Sequence, residues 1–331
     1  MRRSARFAIR KTLRYAIIIF VILSLNFMIP RMMPGSPVIA LLGETAGEAD
    51  PDVVARIEAE YGLDKSMSEQ YVIYLNSLAH FNLGYSFEKR TRVGELITDR
   101  MFWTMVLVLP SVLIGSLAAL LVGSVAGYRR GKRFDKVATG ILITIMAAPG
   151  FLVSMLAIKV FAFYLDWFPL GNMTSGGKEG LELVLDVMYH YALPVTILSC
   201  MVMASKFLVV RGSVTQILHE DFIFVARSRG YRERRIASHH VMRNVLPQFI
   251  SMLALSLGFA VEGALIIEIV FSFNGMGTLL YDAVLSRDYP VMQGCFLTLA
   301  VFVLLANFLA DLLYGWADPR IRDAAEKEAG A

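Results

Sequence analysis

Six apolar stretches, each about as long as the 20 residues a helix needs to cross a bilayer, recur along this 331-residue chain. They cover residues 12–30, 102–128, 137–165, 189–210, 247–272 and 291–315. Apolar residues make up 56% of the sequence and charged residues 18%, which is more hydrophobic surface than one globular core can enclose. The excess must face lipid or other helices. The expected fold is an all-α integral membrane protein with six transmembrane helices.

The charges give the orientation. With the amino terminus in the cytoplasm, segments 1–14, 129–136, 211–246 and 316–331 share that side and hold 21 Lys and Arg, against 9 in segments 31–101, 166–188 and 273–289. That is the bias the positive-inside rule requires. A basic charge distributed by membrane side, rather than gathered on a soluble domain, argues against nucleic acid as a partner. The chain divides into a basic N-terminus with the first span (1–30), an extracytoplasmic helical subdomain (31–101), a five-span core (102–315) containing a cytoplasmic loop (211–246), and a cytoplasmic tail (316–331). MRRSARFAIRK followed by an apolar run has the outline of a secretory signal, but no small-x-small cleavage site follows, and a retained signal-anchor helix is expected.

In the outer subdomain, DPDVVARIEAEYG places Asp50 as an N-cap, Pro51 at the first helical position and Gly62 as the stop. A second amphipathic helix begins near Ser68, with Tyr71, Leu75 and Leu78 on its apolar side. Cys200 and Cys295 lie in apolar stretches with neither disulfide nor zinc spacing, and read as small core residues.

Within the membrane, Ser111, Gly115, Ala119, Gly123 and Gly127 recur every four residues and form one ridge of small side chains, which lets two helix backbones approach closely. Whether the partner helix belongs to the same chain is open at this point. Pro149 is expected to kink the third span and Pro194 the fourth. Glu262 lies well inside the fifth span. Two readings are open for it: a carboxylate lining a translocation route, or a hydrogen-bonded carboxyl tying helices together. Glu268, nearer the outer end, is also a candidate for the translocation path, with reach to the outer interface as its second reading, one that Lys159 near the outer end of the third span shares.

The chain lacks the residues for several chemistries. The nearest approach to a phosphate loop, AGYRRGKR at 126–133, lacks the leading Gly and the hydroxyl residue. No H-E-x-x-H, G-x-S-x-G or dinucleotide fingerprint is present, and the adjacent His239 and His240 diverge on a helix and make a poor metal pair. Neither an enzyme nor a metal site is expected. A secondary transporter would need coupling-ion residues or an inverted repeat, and neither is evident.

What remains is the basic loop, with Arg227, Arg229, Arg232, Arg234, Arg235 and Arg243 close together in FIFVARSRGYRERRIASHHVMRNVLPQFI. A short helix is expected from Asp221 to Arg229, with Phe222, Val225 and Ala226 as its apolar face, ended at Gly230 where a left-handed residue costs little. Charge and periodicity leave two readings: a tip that docks in a groove of another protein, or an anchor for anionic lipid head groups.

The loop resembles the cytoplasmic EAA loop of ABC transporter permeases, in the form seen in the dipeptide and oligopeptide permease family. The residues that carry the resemblance are Glu220, Asp221, Phe222, Ala226, Arg227, Gly230, His240, Arg243, Asn244 and Pro247. The wider EAA pattern has Glu and Ala where this chain has Phe224 and Val225. PGSP (34–37), YGLDKS (61–66), NLGYSF (82–87), RMFWTMVLVLP (100–110), VEGALIIEIVFSFNGMG (261–277), RDYPVMQG (287–294) and DPRIRD (318–323) are similar to that family's segments in the same order. The resemblance implies the type I importer fold and a permease subunit in a bacterial or archaeal cytoplasmic membrane, with both termini inside. It implies coupling to separate ATPase subunits through Glu220, Asp221, Phe222, Val225, Ala226, Arg227, Gly230, Arg243 and Asn244. The implied partners are a second, related but different permease, two ABC ATP-binding subunits that bind the ATP and Mg, and an extracytoplasmic substrate-binding protein. No cofactor is implied for this chain itself.

Overall fold

The computed structural model describes residues 2–32, 51–60 and 62–317. Asp50, the PGSP segment and the DPRIRD tail lie outside the described residues. Every regular element within them is helical: α1 (Arg2–Arg31), α2 (Pro51–Glu60), α3 (Met67–Ala79), α4 (Val93–Tyr128), α5 (Arg133–Ala147), α6 (Gly150–Ala157), α7 (Gly180–Ile217), α8 (Asp221–Ser228), α9 (Met242–Val270), α10 (Met276–Leu285) and α11 (Tyr289–Ala317). By length and composition, α4, α7 and the part of α11 from Tyr289 to Phe308 can cross a membrane, and α5 with the segment Gly150–Tyr164 makes a fourth crossing if that bent pair is one span. The apolar part of α1, Ile17–Arg31, is shorter.

Helix ends depart from the apolar runs in a consistent direction. α4 starts nine residues before the apolar run, and α7 extends past its run at both ends. Backbone hydrogen bonding favours continuing a helix past the hydrocarbon boundary, whereas hydropathy registers only the part that lipid covers. α10 lies in a stretch read as a connecting loop. Pro194 and Pro247 sit inside continuous helices, so α9 begins before Pro247 rather than at it. At Pro149 the outcome is sharper than a kink. The ring pushes Ala148 to an extended conformation (φ −80°, ψ 135°), as expected for a residue before proline, and the helices on either side are bent by 106°.

The chain forms two compact units, residues 1–103 with 275–301 and residues 104–274 with 302–331. In the first, Ser66 caps α3: the Glu69 amide donates to Ser66 Oγ, and Glu69 Oε2 accepts from the Ser66 amide at 3.0 Å. The Ser66 hydroxyl, donating to Glu69 Oε2 at 2.9 Å, and then the Ser66 amide hold the Glu69 carboxyl below its ordinary range. Gly62, at φ +65°, follows α2 where left-handed backbone is needed. Tyr71 and Tyr74 of α3 pack on Phe27 of α1, with ring centroids 5.0 and 5.6 Å away. Asn26 Nδ2 donates to Tyr74 Oη and to the Gln293 carbonyl, both at 2.9 Å. The buried Asp288 carboxylate accepts from Ser86 Oγ and, at 3.2 Å, from the Glu88 amide.

In the second unit the small-residue ridge meets α7 of the same chain. A Cβ on Gly115 would collide with the Ser199 carbonyl, one on Gly123 would sit 3.0 Å from Val210 Cβ, and one on Gly127 would sit 2.7 Å from the Arg211 carbonyl. Ala119 is fully buried on the same ridge. Leu142 of α5 packs with Ala126 of α4 and with Ala204 and Phe207 of α7 in one buried cluster. A methyl group at Gly115 has nowhere to go. Gly115→Ala is expected to cost about 2 kcal/mol through overpacking, whereas Gly140→Ala, with nothing within 4 Å, leaves stability unchanged. Thermal unfolding of the purified chain in detergent compares the two.

Candidate functional site

The loop after α7 builds one rigid projection. α7 ends in a tight turn, with the Leu218 amide donating to the Val214 carbonyl at 3.1 Å and the Glu220 amide to the Ile217 carbonyl at 3.1 Å. Glu220 takes the extended N-cap conformation and Asp221 puts a carboxylate in the first turn of α8, where it favours the positive end of the helix. The helix is closed by the Gly230 amide on the Arg227 carbonyl at 2.9 Å and the Tyr231 amide on the Ala226 carbonyl at 3.2 Å. Gly230 stands at φ +75°, a conformation that costs a Cβ-bearing residue and not glycine.

The apolar face of α8 is not the expected one. Ile223 and Ala226 point inward and are buried, joining Leu120 of α4, Val210 and Val214 of α7, Ile236 and Val241, and Val245 and Phe249 of α9. Phe222 and Val225 lie on the other side of the helix and are exposed, and Phe224 is 73% exposed. Positions 223 and 226 are one turn apart, as are 222 and 225. Either pair makes an apolar stripe, and only the neighbours decide which one is buried. Ala226 therefore parts company with Phe222 and Val225.

Charged groups brace the projection. Arg227 Nε donates to Glu233 Oε1 at 3.0 Å, and the same carboxylate accepts from the Tyr128 hydroxyl at the end of α4. The Arg235 guanidinium lies 4.9 Å from the Tyr231 ring centroid, and Tyr231 stacks on His240 at 5.6 Å. Arg243 and Asn244 are exposed at the start of α9, where Asn244 Nδ2 donates to the His240 carbonyl at 2.7 Å. A turn deeper, Arg211 Nη2 donates to Asp135 Oδ2 at 2.8 Å, and the Asp135 carboxylate also accepts from the Gly131 amide and from Thr139 Oγ1. An open cavity of about 600 Å³, lined in part by Arg130, Arg211, Thr215, His219, Glu220 and Asp221, lies beside the α7–α8 turn.

The intramembrane carboxylates part ways. Glu262 is exposed on α9. Glu268 does not reach an outer interface: it is 1% exposed, and Thr104 Oγ1 donates to it at 2.6 Å. Six residues of helix separate the two by about a third of a turn, so they occupy different faces. Lys159 is exposed and sits 5.9 Å from the Tyr164 ring centroid.

Sequence reasoning passed over Lys206. It is 3% exposed within α7, and its ammonium donates to Ser116 of α4 and, at 2.6 Å, to Ser256 of α9. The signal was a single cation midway along an apolar run. It also missed Asp186, whose carboxylate accepts from the Ser175 amide, Ser175 Oγ at 3.0 Å and Lys178, so that the loop before α7 is held down. Among the described residues no cluster of His, Cys, Asp and Glu could hold a metal ion.

The structure combines helices long and apolar enough to cross a membrane with a short helix, α8, whose Phe222, Phe224 and Val225 are exposed. The family model for the binding-protein-dependent transport system inner membrane component matches residues 111–323, and that for the N-terminal part of such membrane components matches residues 4–108. The chain is 32% identical over 317 residues to the dipeptide transport system permease protein DppB of Escherichia coli (strain K12), covering 90% of this chain and 93% of that protein. It is 32% identical over 314 residues to the di/tripeptide transport system permease protein DppB of Pseudomonas aeruginosa (strain UCBPP-PA14), with the same coverage. A solved structure of the MetNI methionine ABC transporter, in inward-facing conformation, has a chain that matches with a TM-score of 0.56 at 15% identity, over 67% of this chain and 96% of that one; it shows the fold. This chain belongs to the family of binding-protein-dependent transport system inner membrane components.

Arg211 holds Asp135 at the base of the projection, and the Asp135 side chain is 3% exposed against 25% for Arg211. Arg211→Ala is expected to destabilise the chain by about 2 kcal/mol, less than for a fully buried pair because the arginine keeps some contact with water. Adding Asp135→Asn restores part of that loss, which a double-mutant cycle of thermal unfolding measures.

Proposed function

We propose that this chain is one of the two transmembrane subunits of an ATP-driven importer for dipeptides or oligopeptides, and that α8 is its coupling helix. In this reading the six apolar stretches of the sequence are six spans, both termini face the cytoplasm, and the 31–101 segment lies outside. A second, related permease completes the pathway, two ATP-binding subunits dock from the cytoplasm, and an extracytoplasmic binding protein delivers substrate. The peptide substrate class rests on the names of the relatives.

The observation that carries the reading is the two-faced α8. Its inner face, Ile223 and Ala226, is packed against residues of α4, α7 and α9 at once. Its outer face, Phe222, Phe224 and Val225, is exposed. A force applied to the exposed face passes into three long helices together, because close-packed side chains transmit displacement rather than absorb it. Closure of ATP-binding subunits on α8 would thus rock the helices as a body and open the pathway to alternate sides. Glu220, Asp221, Arg227, Gly230, Arg243 and Asn244 would set the register of docking. Glu262 and Glu268 remain candidates for the pathway, Glu262 the better placed of the two because it is accessible.

The test is to co-express the tagged chain with its chromosomal neighbours, purify the complex, and measure ATP hydrolysis and peptide uptake in proteoliposomes. Phe224→Asp, at a position with no packing role in this chain, is expected to lower ATP-driven uptake about tenfold or more, as loss of a buried interface anchor does, and to strip the ATP-binding subunits from the complex without changing thermal stability. Neutralising Arg229, Arg232 and Arg234 is expected to have little effect. If the arginine changes abolish function and Phe224→Asp does not, the projection is a lipid anchor instead. Gly230→Val, which forces a β-branched residue to a positive φ, is expected to cripple uptake while the chain still inserts.

A further inference from the structure

A second cavity, of about 550 Å³, lies within the first unit, bounded by α3, the turn at 82–87, the end of α1 and the start of α11. Its size falls in the range of about 300 to 1,000 Å³ that small-molecule sites occupy. Its charge is at odds with its surroundings. Segment 31–101 carries eleven acidic residues, yet among the described residues no Asp or Glu lines the cavity, while Arg31 and Lys65 both do. We infer that this cavity is a binding site for a short peptide, and that Arg31, Lys65 and Gln293 receive its terminal carboxylate.

The donors are arranged for that task. Arg31 is held in place: Nε donates to Gln70 Oε1 at 3.0 Å, Nη1 to the Phe27 carbonyl at 3.1 Å, and the guanidinium lies 3.7 Å from the centroid of the Phe27 ring. Among the described residues neither Arg31 nor Lys65 is paired with a carboxylate. Gln293 lines the same cavity, and its Nε2 is buried without a hydrogen-bond partner among the described residues. A buried amide donor is normally satisfied, so an orphaned one in a cavity that Arg31 and Lys65 also line points to an absent acceptor. A carboxylate accepts from arginine, ammonium and amide donors together. The rest of the wall, including Tyr74, Tyr289 and Ile73, offers rings and aliphatic surface to a side chain, with hydroxyls for the peptide backbone.

This inference rests on the peptide-importer reading and deepens it: the site would take peptide before it enters the helix bundle. The probe is a radiolabelled dipeptide, Ala-Phe, added to the purified complex in nanodiscs without its binding protein, compared with the same dipeptide amidated at its C-terminus. Saturable binding of Ala-Phe is expected, weakened about tenfold by amidation through loss of charge-assisted hydrogen bonds. Lys65→Glu, at an exposed position that leaves the fold alone, is expected to weaken it by a similar factor, and Arg31→Gln to abolish it. Equal binding of acid and amide, no effect of Lys65→Glu, or no binding up to millimolar peptide would each overturn the inference. So would cross-linking of Lys65 to an acidic side chain of the binding protein in a complex that binds no free dipeptide, which would assign the cavity to that partner. A complex that imports no peptide at all, with ATP and binding protein present, refutes the proposed function. A complex in which Arg31→Gln and Lys65→Glu import and bind peptide normally refutes only the cavity.

Discussion

The close approach of α4 and α7 is the contact on which the rest of the second unit depends. Lipid supplies no hydrophobic drive between helices, so association rests on how near the backbones can come. Gly115, Gly123 and Gly127 let the Ser199 and Arg211 carbonyls and the Val210 side chain of α7 lie where Cβ atoms would otherwise stand. With α7 set against α4 along its length, the end of α7 is set too, and α8 leaves that end through a turn of three residues. The position of α8 thus follows from a stripe of missing side chains.

Polar ties then fix what packing alone leaves loose. Lys206 joins α7 to serines on α4 and α9. Arg211 joins α7 to Asp135 at the start of α5, and Glu233 gathers Arg227 and Tyr128 under the projection. Each places a charge where it is satisfied by directed donors and acceptors, and such pairs tolerate few alternative arrangements. The bend at Pro149 works in the opposite sense, breaking the α5–α6 backbone ladder at a point where the two halves need not move as one rod.

The helical class, the membrane setting, the glycine ridge and the start and stop of α8 were all legible in the sequence, because each depends on local rules: apolar run length, four-residue spacing, an acidic first turn and a terminal glycine. The partner of the ridge was not legible, since spacing says that a helix packs closely without saying on what. The buried face of α8 was misread because Phe222 with Val225 and Ile223 with Ala226 have the same spacing. Glu268 looked like an interfacial residue by its place near a helix end, and Thr104, far away in sequence, makes it an interior one. Lys206 escaped notice because its two serine partners lie on helices that only folding brings beside it.

By itself, then, the sequence determined that this chain is helical and apolar enough to lie in a membrane, and that a short helix with an acidic start and a glycine end interrupts the loop between two of its long helices. Those properties follow from transfer free energy and backbone conformation, which each residue carries wherever it is placed. Only the tertiary structure decided which face of that helix is buried and which is exposed, that the small-residue ridge is used within the chain, and that among the described residues no acidic side chain lines the cavity Arg31 and Gln293 share. Those outcomes depend on neighbours distant in sequence, and a contact between them exists only once the chain has folded.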